Sequence, residues 1–459
     1  MRFSLAILIL MVSLLVRAQQ VDSAYLAYQA EFGKLMTSLI GTSEEAVAAL
    51  TKYRVNDITS NEEFAGMLGR LYSKKKGIGV LFYILQGDTL RRTFFRPGEV
   101  VEERKIPVRR EELAQLGQQL SASLAAYKEP SPLEVQRGVK APAGKGGFSL
   151  DSVLARLSAL LLPEAFSREY RHLIVIPAFN IGVLPFQLLR PYRDSTYLID
   201  QCSITIAPTL IDAVGLRMET VMGFGYDPLS KYAPASFDEG HALHQLPDSV
   251  DFPFENVLFV SDPAYPSDGP RAFPKLQGAQ REVAAAAALS RSYKILSGAA
   301  AQKDSVLHYM NGRDVAYFAT HGVSASLDAK RNTFLVLAPP DPYLTSLEIA
   351  GLRHKEHYRV PEFVILSACQ TGLGEAMDAG VMGSLARSFI LAGANHVLMS
   401  LWNVDDAATA YLVSRYVFHL QHRDLFVPSG PLRKAILETK ARFPHPAKWA
   451  GFSLFGVDY

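Results

Sequence analysis

Two side chains with the chemistry of a nucleophile and a base, Cys369 and His321, each follow a short apolar segment. Residues 363–366 are Phe-Val-Ile-Leu and lead into the small-residue turn that carries Cys369, while residues 315–319 are Val-Ala-Tyr-Phe-Ala and lead to His321. A free thiol has a pKa of about 8.5, so only a few per cent of it is the nucleophilic thiolate at neutral pH. Because such a thiol needs a base within hydrogen-bond reach, we predict Cys369 as the nucleophile and His321 as its base.

The elements that must position this pair are two buried strands. Apolar runs rich in β-branched residues are typical of parallel strands covered on both faces. Open α/β sheets place their ligands at the carboxyl ends of such strands. The two residues are 369 − 321 = 48 positions apart, which leaves room for a crossover that returns the chain parallel. The spacing therefore predicts that His321 lies beside Cys369.

Backbone groups next to the pair complete the predicted site. We expect the N–H groups of Cys369 and Gly322 to form an oxyanion hole, because a glycine after the histidine lets the backbone approach the reacting carbonyl. Either side chain alone is more typical of a structural role, as a small core cysteine or a histidine at a strand end. Their joint occurrence at two strand ends, each with glycine neighbours, favours catalysis.

The second half of the chain has the pattern of an α/β domain. Apolar strands alternate with helical segments, which predicts a three-layer sandwich with a mostly parallel sheet and helices on both faces. The predicted strands cover residues 173–177, 203–207, 257–261, 293–296, 315–319, 334–337, 363–366 and 397–401. The predicted helices cover residues 151–162, 278–290, 303–311, 380–391, 405–420 and 431–442.

Smaller regions precede this domain. We assign residues 19–76 to an N-terminal helical region, because apolar residues recur there at three- and four-residue spacing. Residues 77–127 change to period two and predict a three-stranded antiparallel meander followed by a helix. Residues 128–149 are rich in Pro, Gly and Lys and predict a flexible linker, so the main domain is expected over 150–459.

The first eighteen residues have the layout of a secretory signal peptide. Arg2 precedes an apolar stretch over 5–16, and cleavage is expected after Ala18. The stretch is shorter than the roughly 20 residues that a spanning helix needs, and no later segment is long and apolar enough to span a membrane. We therefore expect export to a bacterial periplasm or cell surface, with Cys202 an inert thiol and Cys369 a reactive one.

Composition and the remaining motifs narrow the classes of function. The net charge of +2 shows no basic excess, so nucleic acid is not an expected partner. The histidine pairs His241/His244 and His354/His357 have metal-compatible spacing but lack a third ligand nearby in sequence, so no metal is predicted. No phosphate-binding glycine loop is present, and no cofactor is predicted.

Several sequence blocks together resemble the caspase-type clan of cysteine peptidases. Residues 368–372, Ala-Cys-Gln-Thr-Gly, differ from the caspase pattern Ala-Cys-x-Gly by one inserted residue. A closer resemblance is to the CHAT domain, the bacterial caspase-like family, over roughly residues 150–459. The blocks that carry it occur in the family's order, and they are residues 177–186, 261–265, 319–322, 366–374, 400–409 and 445–452.

The resemblance implies a caspase-like sandwich and a His–Cys dyad endopeptidase that acts on a protein or peptide substrate. It implies His321 as the base and Cys369 as the nucleophile, with hydrolysis through an acyl-enzyme. Family members often carry a long helical repeat array that receives a partner, whereas only a short helical region stands here. The resemblance therefore allows a protein regulator but does not identify one.

Relatives in this clan select a charged residue before the cleaved bond, through an opposite charge in the pocket. Asp405 and Asp406 follow the strand after the Cys369 strand and are candidates for an acidic pocket that takes Arg or Lys. The alternative is that they cap the helix that follows, since acids favour helix N-termini. Asp262, at another strand end, is a further pocket candidate.

Two other functions remain open at this stage. One is a non-catalytic interaction module that keeps the fold and the dyad. The other is a different thiol acyl-transfer enzyme, such as an amidase or a transpeptidase, that uses the same pair.

Overall fold

A computed structural model describes most of the chain. The described residues are 22–40, 58–72, 77–126, 149–178, 184–192, 194–214, 254–266, 273–276, 278–323, 333–367, 385–402, 404–421 and 428–457. For residues 33–40 this description covers the backbone alone. The predicted signal peptide, most of the predicted linker, His241, His244 and Cys369 lie outside these ranges.

Fourteen strands occur in the described part of the chain. They are β1 (Ile78–Gln86), β2 (Thr89–Arg96), β3 (Glu99–Pro107), β4 (His172–Ile176), β5 (Ser203–Ile206), β6 (Val257–Pro263), β7 (Tyr293–Gly298), β8 (Val315–Ala319), β9 (Gly322–Val323), β10 (Phe334–Val336), β11 (Tyr343–Thr345), β12 (Phe363–Leu366), β13 (His396–Ser400) and β14 (Phe452–Phe455).

The α-helices that accompany them are α1 (Ser23–Ile40), α2 (Asn61–Leu71), α3 (Arg110–Ala126), α4 (Leu150–Leu161), α5 (Leu198–Gln201), α6 (Ala279–Ala287), α7 (Lys303–Met310), α8 (Ser346–Gly351), α9 (Leu385–Ala392), α10 (Asp406–Gln421), α11 (Ser429–Arg442) and α12 (Pro446–Trp449). Short 3-10 turns occupy Phe186–Leu188 and Leu352–His354.

Eleven of the described strands form one sheet, in the order β3-β2-β1-β4-β5-β14-β13-β12-β8-β6-β7. Neighbours are parallel except at β1–β2, β2–β3 and β13–β14. Strands β9, β10 and β11 form a separate antiparallel sheet. The predicted fold class, a mostly parallel α/β sandwich, is confirmed by this arrangement.

Strands β8 and β12 are adjacent and parallel, as their apolar patterns predict. Phe318 pairs with Leu366, and the N–H of Ser367 donates to the carbonyl of Phe318 at 3.0 Å. Along the sequence, His321 lies 321 − 318 = 3 residues beyond one member of this pair, and Cys369 lies 369 − 366 = 3 beyond the other. The register thus places the ends of β8 and β12 at the same edge of the sheet.

The sheet is covered on both faces because its strands bury alternate side chains in two separate cores. In β8, Ala316 and Phe318 belong to one core, which also contains residues of α1, α2, α7, α8 and α9. Val315 and Tyr317 belong to the other, with residues of α3, α4, α6, α10 and α11. Full burial of a large apolar side chain stabilises a fold by about 1.5–3 kcal/mol. These two cores therefore hold the strand ends rigidly.

The predicted meander at β1–β3 is part of the large sheet, because β1 pairs in parallel with β4. Its outer strand, β3, is largely exposed and rich in charged residues, which is a common protection of a sheet edge. Among the described helices, none has both the length and the apolar character needed to cross a membrane.

Candidate functional site

His321 is fully buried and lies two residues past the end of β8. Two aromatic side chains, Tyr265 and Phe273, enclose it. Its imidazole ring lies 4.7 Å from the ring of Tyr265 and 5.5 Å from that of Phe273, measured between centroids. Its Nε2 lies 2.7 Å from the carbonyl oxygen of Pro274. Two aromatic rings and one backbone acceptor therefore fix the orientation of the imidazole.

The contact with Pro274 determines the tautomer of His321. A backbone carbonyl only accepts hydrogen bonds, so Nε2 carries the proton and donates it. In the neutral ring, Nδ1 is then the basic nitrogen with a free lone pair. Nδ1 is buried and has no hydrogen-bond partner among the described residues. An unpaired buried acceptor is costly, which distinguishes this nitrogen within the described residues as a candidate proton acceptor.

Burial lowers the pKa of His321 below its ordinary value, because desolvation disfavours the imidazolium. The hydrogen bond to the Pro274 carbonyl and the charge of Asp262 act in the opposite direction without reversing the shift. The ring is therefore neutral at pH 7 and able to accept a proton.

We expect an NMR titration of His321 in a Cys369→Ala chain to show a midpoint below the ordinary value of about 6.5. In the same chain unfolded by urea, we expect the midpoint to return to that ordinary value. Because the pKa of His321 is lower in the folded chain, the unfolded chain binds the proton first as the pH falls. The folded chain therefore has its full stability with respect to this group above pH 6.5 and loses stability as the pH falls through the folded pKa. A folded midpoint above that of the unfolded chain would contradict a neutral base.

Asp262 lies at the end of β6, the other neighbour of β8, and therefore at the same edge as His321. Its side chain is 8% exposed, and its Oδ1 accepts a hydrogen bond from the N–H of Leu276 at 3.1 Å. Its φ of +41° is in the left-handed region, at the register shift between Ser261 and Pro263 in the pairing of β6 with β7. The hydrogen bond from Leu276 ties the 273–276 segment to β6 and so supports the Pro274 carbonyl.

The other two pocket candidates are engaged at helix N-termini. Asp405 Oδ1 accepts from the N–H of Ala408 at 3.0 Å and caps α10. The carboxyl group of Asp406 lies against Gly278, where an added Cβ would approach its Cγ to 2.5 Å. Within the described residues, no hydrogen bond or ion pair joins Asp405 or Asp406 to His321. Of the three predicted acids, Asp262 is the one that acts electrostatically on the imidazole.

The remaining predicted site residues divide between described and undescribed positions. Gly322 is buried and begins β9 directly after His321, opposite Leu335. Cys369, the predicted nucleophile and second oxyanion donor, lies outside the described residues, so its geometry with His321 stays a prediction. Cys202 is a buried free thiol, and burial raises its pKa to about 12, which makes it chemically inert.

Glu282, a buried carboxyl group that was not predicted as a site residue, lies near the ends of β8 and β12. Glu282 of α6 accepts hydrogen bonds through Oε1 from the hydroxyls of Tyr317 and Ser367. Tyr317 belongs to β8, and Ser367 directly follows β12. The segment of α6 is Ala-rich, and no sequence signal marks its one glutamate as buried.

The described residues contain no group of three or more His, Cys, Asp or Glu side chains that could hold a metal ion. His354 and His357 are both exposed.

Residues 151–457 match the CHAT domain family, and the chain therefore belongs to that family. This confirms the family expected from the ordered sequence blocks, and with it the caspase-like α/β fold class. The matched range leaves the meander β1–β3 outside the family domain, although the strands share one sheet.

Two curated relatives are similar over parts of the chain. Tetratricopeptide repeat protein 28 of Mus musculus is 37% identical over 98 residues, which are 21% of this chain and 4% of that protein. Tetratricopeptide repeat protein 28 of Homo sapiens is 23% identical over 329 residues, which are 63% of this chain and 12% of that protein. The matched part of this chain thus corresponds to a small fraction of either relative.

Among solved structures, the Saccharomyces cerevisiae separase–securin complex matches over 90% of this chain and 31% of that chain, with a TM-score of 0.49 and 10% identity. The Arg-specific cysteine proteinase gingipain R matches over 68% of each chain, with a TM-score of 0.39 and 9% identity. Similarity at these levels carries no information about activity.

Proposed function

We propose that this chain is a cysteine-type endopeptidase that uses Cys369 and His321 to hydrolyse peptide bonds in a protein or peptide substrate. Cys369 Sγ attacks the carbonyl carbon as its proton passes to His321 Nδ1. The N–H groups of Gly322 and Cys369 stabilise the oxyanion. The imidazolium then gives the proton to the leaving amine nitrogen, and water activated by the neutral imidazole hydrolyses the thioester and restores the thiol.

The observation that carries this proposal is the buried, unpartnered Nδ1 of His321 at the edge where β12 ends. Cys369 lies two positions beyond the last described residue of that segment, Ser367. A chain advances at most about 3.6 Å per residue, so chain connectivity keeps the thiol near this edge. The tautomer fixed by Pro274 leaves Nδ1 as the proton acceptor that a thiol there requires.

We also propose a preference for Arg or Lys before the cleaved bond. Of the predicted acids, Asp262 lies at the end of β6 and its charge acts on the pKa of His321. Asp405 instead caps its own helix. A carboxylate in a partly desolvated position binds a cationic side chain more strongly than an exposed one does. Asp262 is therefore the candidate for recognition of that cation.

Export through the first eighteen residues is a further part of the proposal. It is supported by the basic residue, the apolar stretch and the small residue at 18 in the sequence. Expression of the full chain in a bacterium followed by N-terminal mass analysis tests it. We expect the exported chain to begin at Gln19, and a cytoplasmic chain that retains Met1 would contradict export.

Labelling with peptide acyloxymethyl ketones tests the proposed activity. We expect an Arg or Lys probe to label Cys369 and an Asp probe not to, with labelling lost in Cys369→Ala and in His321→Ala. Cys202→Ala, which removes the inert thiol, serves as the matched control and is expected to label normally. A folded chain that reacts with none of the three probes would favour a non-catalytic interaction module and contradict the peptidase.

A further inference from the structure

Glu282 joins the two strands that lead to the proposed dyad. Glu282 is 6% exposed. Its Oε1 accepts hydrogen bonds from Tyr317 Oη on β8 and from Ser367 Oγ after β12. Tyr317 is fully buried and lies four residues before His321, while Ser367 lies two residues before Cys369. One oxygen atom thus connects the carboxyl ends of β8 and β12 from the face of the sheet on which α6 packs.

We propose that Glu282 is a positioning residue that fixes the end of β12 relative to the end of β8, and hence the thiol relative to its base. This inference rests on the proposed dyad. The hydrogen bond from Ser367 N–H to the carbonyl of Phe318 joins the two strands at the last described residue of this segment. The carboxyl group of Glu282 is a second tether at the same residue.

The carboxylate form is the stronger tether, because hydrogen bonds to an ionised acceptor are shorter and stronger than those to a neutral one. Burial raises the pKa of Glu282 to about 7, and the hydrogen bonds from Ser367 and Tyr317 act against this rise. Asp406 from α10 adds a further upward shift through its charge. The described groups that act on the pKa of this carboxyl are Tyr317 on β8, Ser367 after β12 and Asp406 of α10.

The ionisation of Glu282 therefore strengthens the tether as the pH rises through about 7. We expect the wild-type chain to show, near this pH, a rise in site reactivity beyond the rise that thiol ionisation produces in every variant. It is separate from the titration of His321, whose pKa is lowered below its ordinary value. In Glu282→Gln, which keeps an acceptor oxygen but does not titrate, this additional rise disappears.

The rate of alkylation of Cys369 by iodoacetamide, followed by peptide mass mapping, is the test. We expect Glu282→Ala to lower the rate by up to about 10²-fold, the scale for a misplacement of about 1 Å at a reacting centre. Glu282→Gln is expected to stay close to wild type at pH 6 and to show near pH 7 only the rise that thiol ionisation produces, so the ratio of the wild-type rate to its rate grows as the pH passes about 7. Tyr317→Phe and Ser367→Ala each remove one of the two hydrogen bonds and are expected to give smaller losses.

Tyr83→Phe is the matched control. Tyr83 is a fully buried tyrosine of β1 in the same core as Tyr317, and its hydroxyl donates to the Leu161 carbonyl. We expect this change to lower the melting temperature without altering the pH profile of Cys369 alkylation.

The outcomes separate this role from the proposed activity. If the Glu282 variants change alkylation as expected but the wild-type chain cleaves no peptide, the positioning role stands and the peptidase fails. If Glu282→Gln and Glu282→Ala only lower the melting temperature, as Tyr83→Phe does, and keep the wild-type rate and pH profile, the positioning role is overturned.

Discussion

Replacement of His321 by alanine is expected to lower kcat/KM for a cleavable Arg or Lys peptide by about 10²–10⁴-fold, the contribution typical of a positioned general base. Replacement of Cys369 by alanine is expected to abolish turnover, because no acyl-enzyme forms without the thiol. The reason for the first loss lies in the contacts of the imidazole. Its Nε2 is committed to Pro274, so Nδ1 is the nitrogen left to accept the proton in the proposed dyad.

The two changes are not expected to add. A nucleophile and its base act as a unit, so the double variant should be no slower than Cys369→Ala alone. His396→Gln is the matched control for loss of a buried imidazole. His396 is buried at the start of β13, and its Nε2 also contacts a backbone carbonyl, that of Val457, at 3.1 Å. We expect His396→Gln to affect stability and to leave kcat/KM near wild type.

Full activity in a folded His321→Ala chain would contradict the dyad. Loss of activity in both His321→Ala and His396→Gln, with equal loss of secondary structure, would instead point to unfolding as the cause. Circular dichroism of each variant, recorded beside the kinetics, distinguishes the two results.

The sequence predicted the parts of this site that depend on local patterns. The apolar runs at 315–319 and 363–366 predicted buried parallel neighbours, and β8 and β12 are such a pair. The strand that lies between β5 and β13, β14, was missed, since Phe452–Phe455 is short and its place in the sheet depends on contacts with distant segments. Parallel pairing therefore followed from pattern, whereas strand order did not.

Other parts of the site had no local signal. The acceptor for His321 is a backbone carbonyl, which every residue carries, so the role of Pro274 is visible only in three dimensions. Glu282 lies in the Ala-rich segment 279–287, where a glutamate is usually exposed on a helix surface. Its burial results from the packing of α6 between the sheet and α10, and no periodicity in the sequence distinguishes it.

Replacement of Arg387 by methionine is expected to lower the free energy of unfolding by about 3–5 kcal/mol, the range for breaking a buried ion pair. Arg387 of α9 is 1% exposed, and its Nη1 lies 2.8 Å from Oδ1 of Asp212, which is itself buried. Methionine fills a similar volume but leaves the Asp212 carboxylate without its counter-charge. Urea denaturation of the wild type and the variant measures the difference.

Arg96→Met provides the control, because Arg96 on β2 and Glu99 on the edge strand β3 form an exposed pair. Solvent screens an exposed pair, so this change is expected to be nearly silent. The double variant Arg387→Met/Asp212→Leu removes both charges and is expected to recover much of the stability. Equal, small losses in Arg387→Met and Arg96→Met would contradict a buried, uncompensated charge as the cause.

The position of Arg387 gives this ion pair a bearing on the site. The chain between Ser367 and α9 carries Cys369, and its two flanks are held by different buried acids, Glu282 at Ser367 and Asp212 at Arg387. These acids lie on opposite faces of the sheet, since α6 belongs to one core and α9 to the other. We therefore expect Arg387→Met to lower both stability and the rate of Cys369 alkylation, while leaving in place the rise near pH 7 that exceeds the effect of thiol ionisation. Loss of that rise in Arg387→Met would show that it does not originate at Glu282.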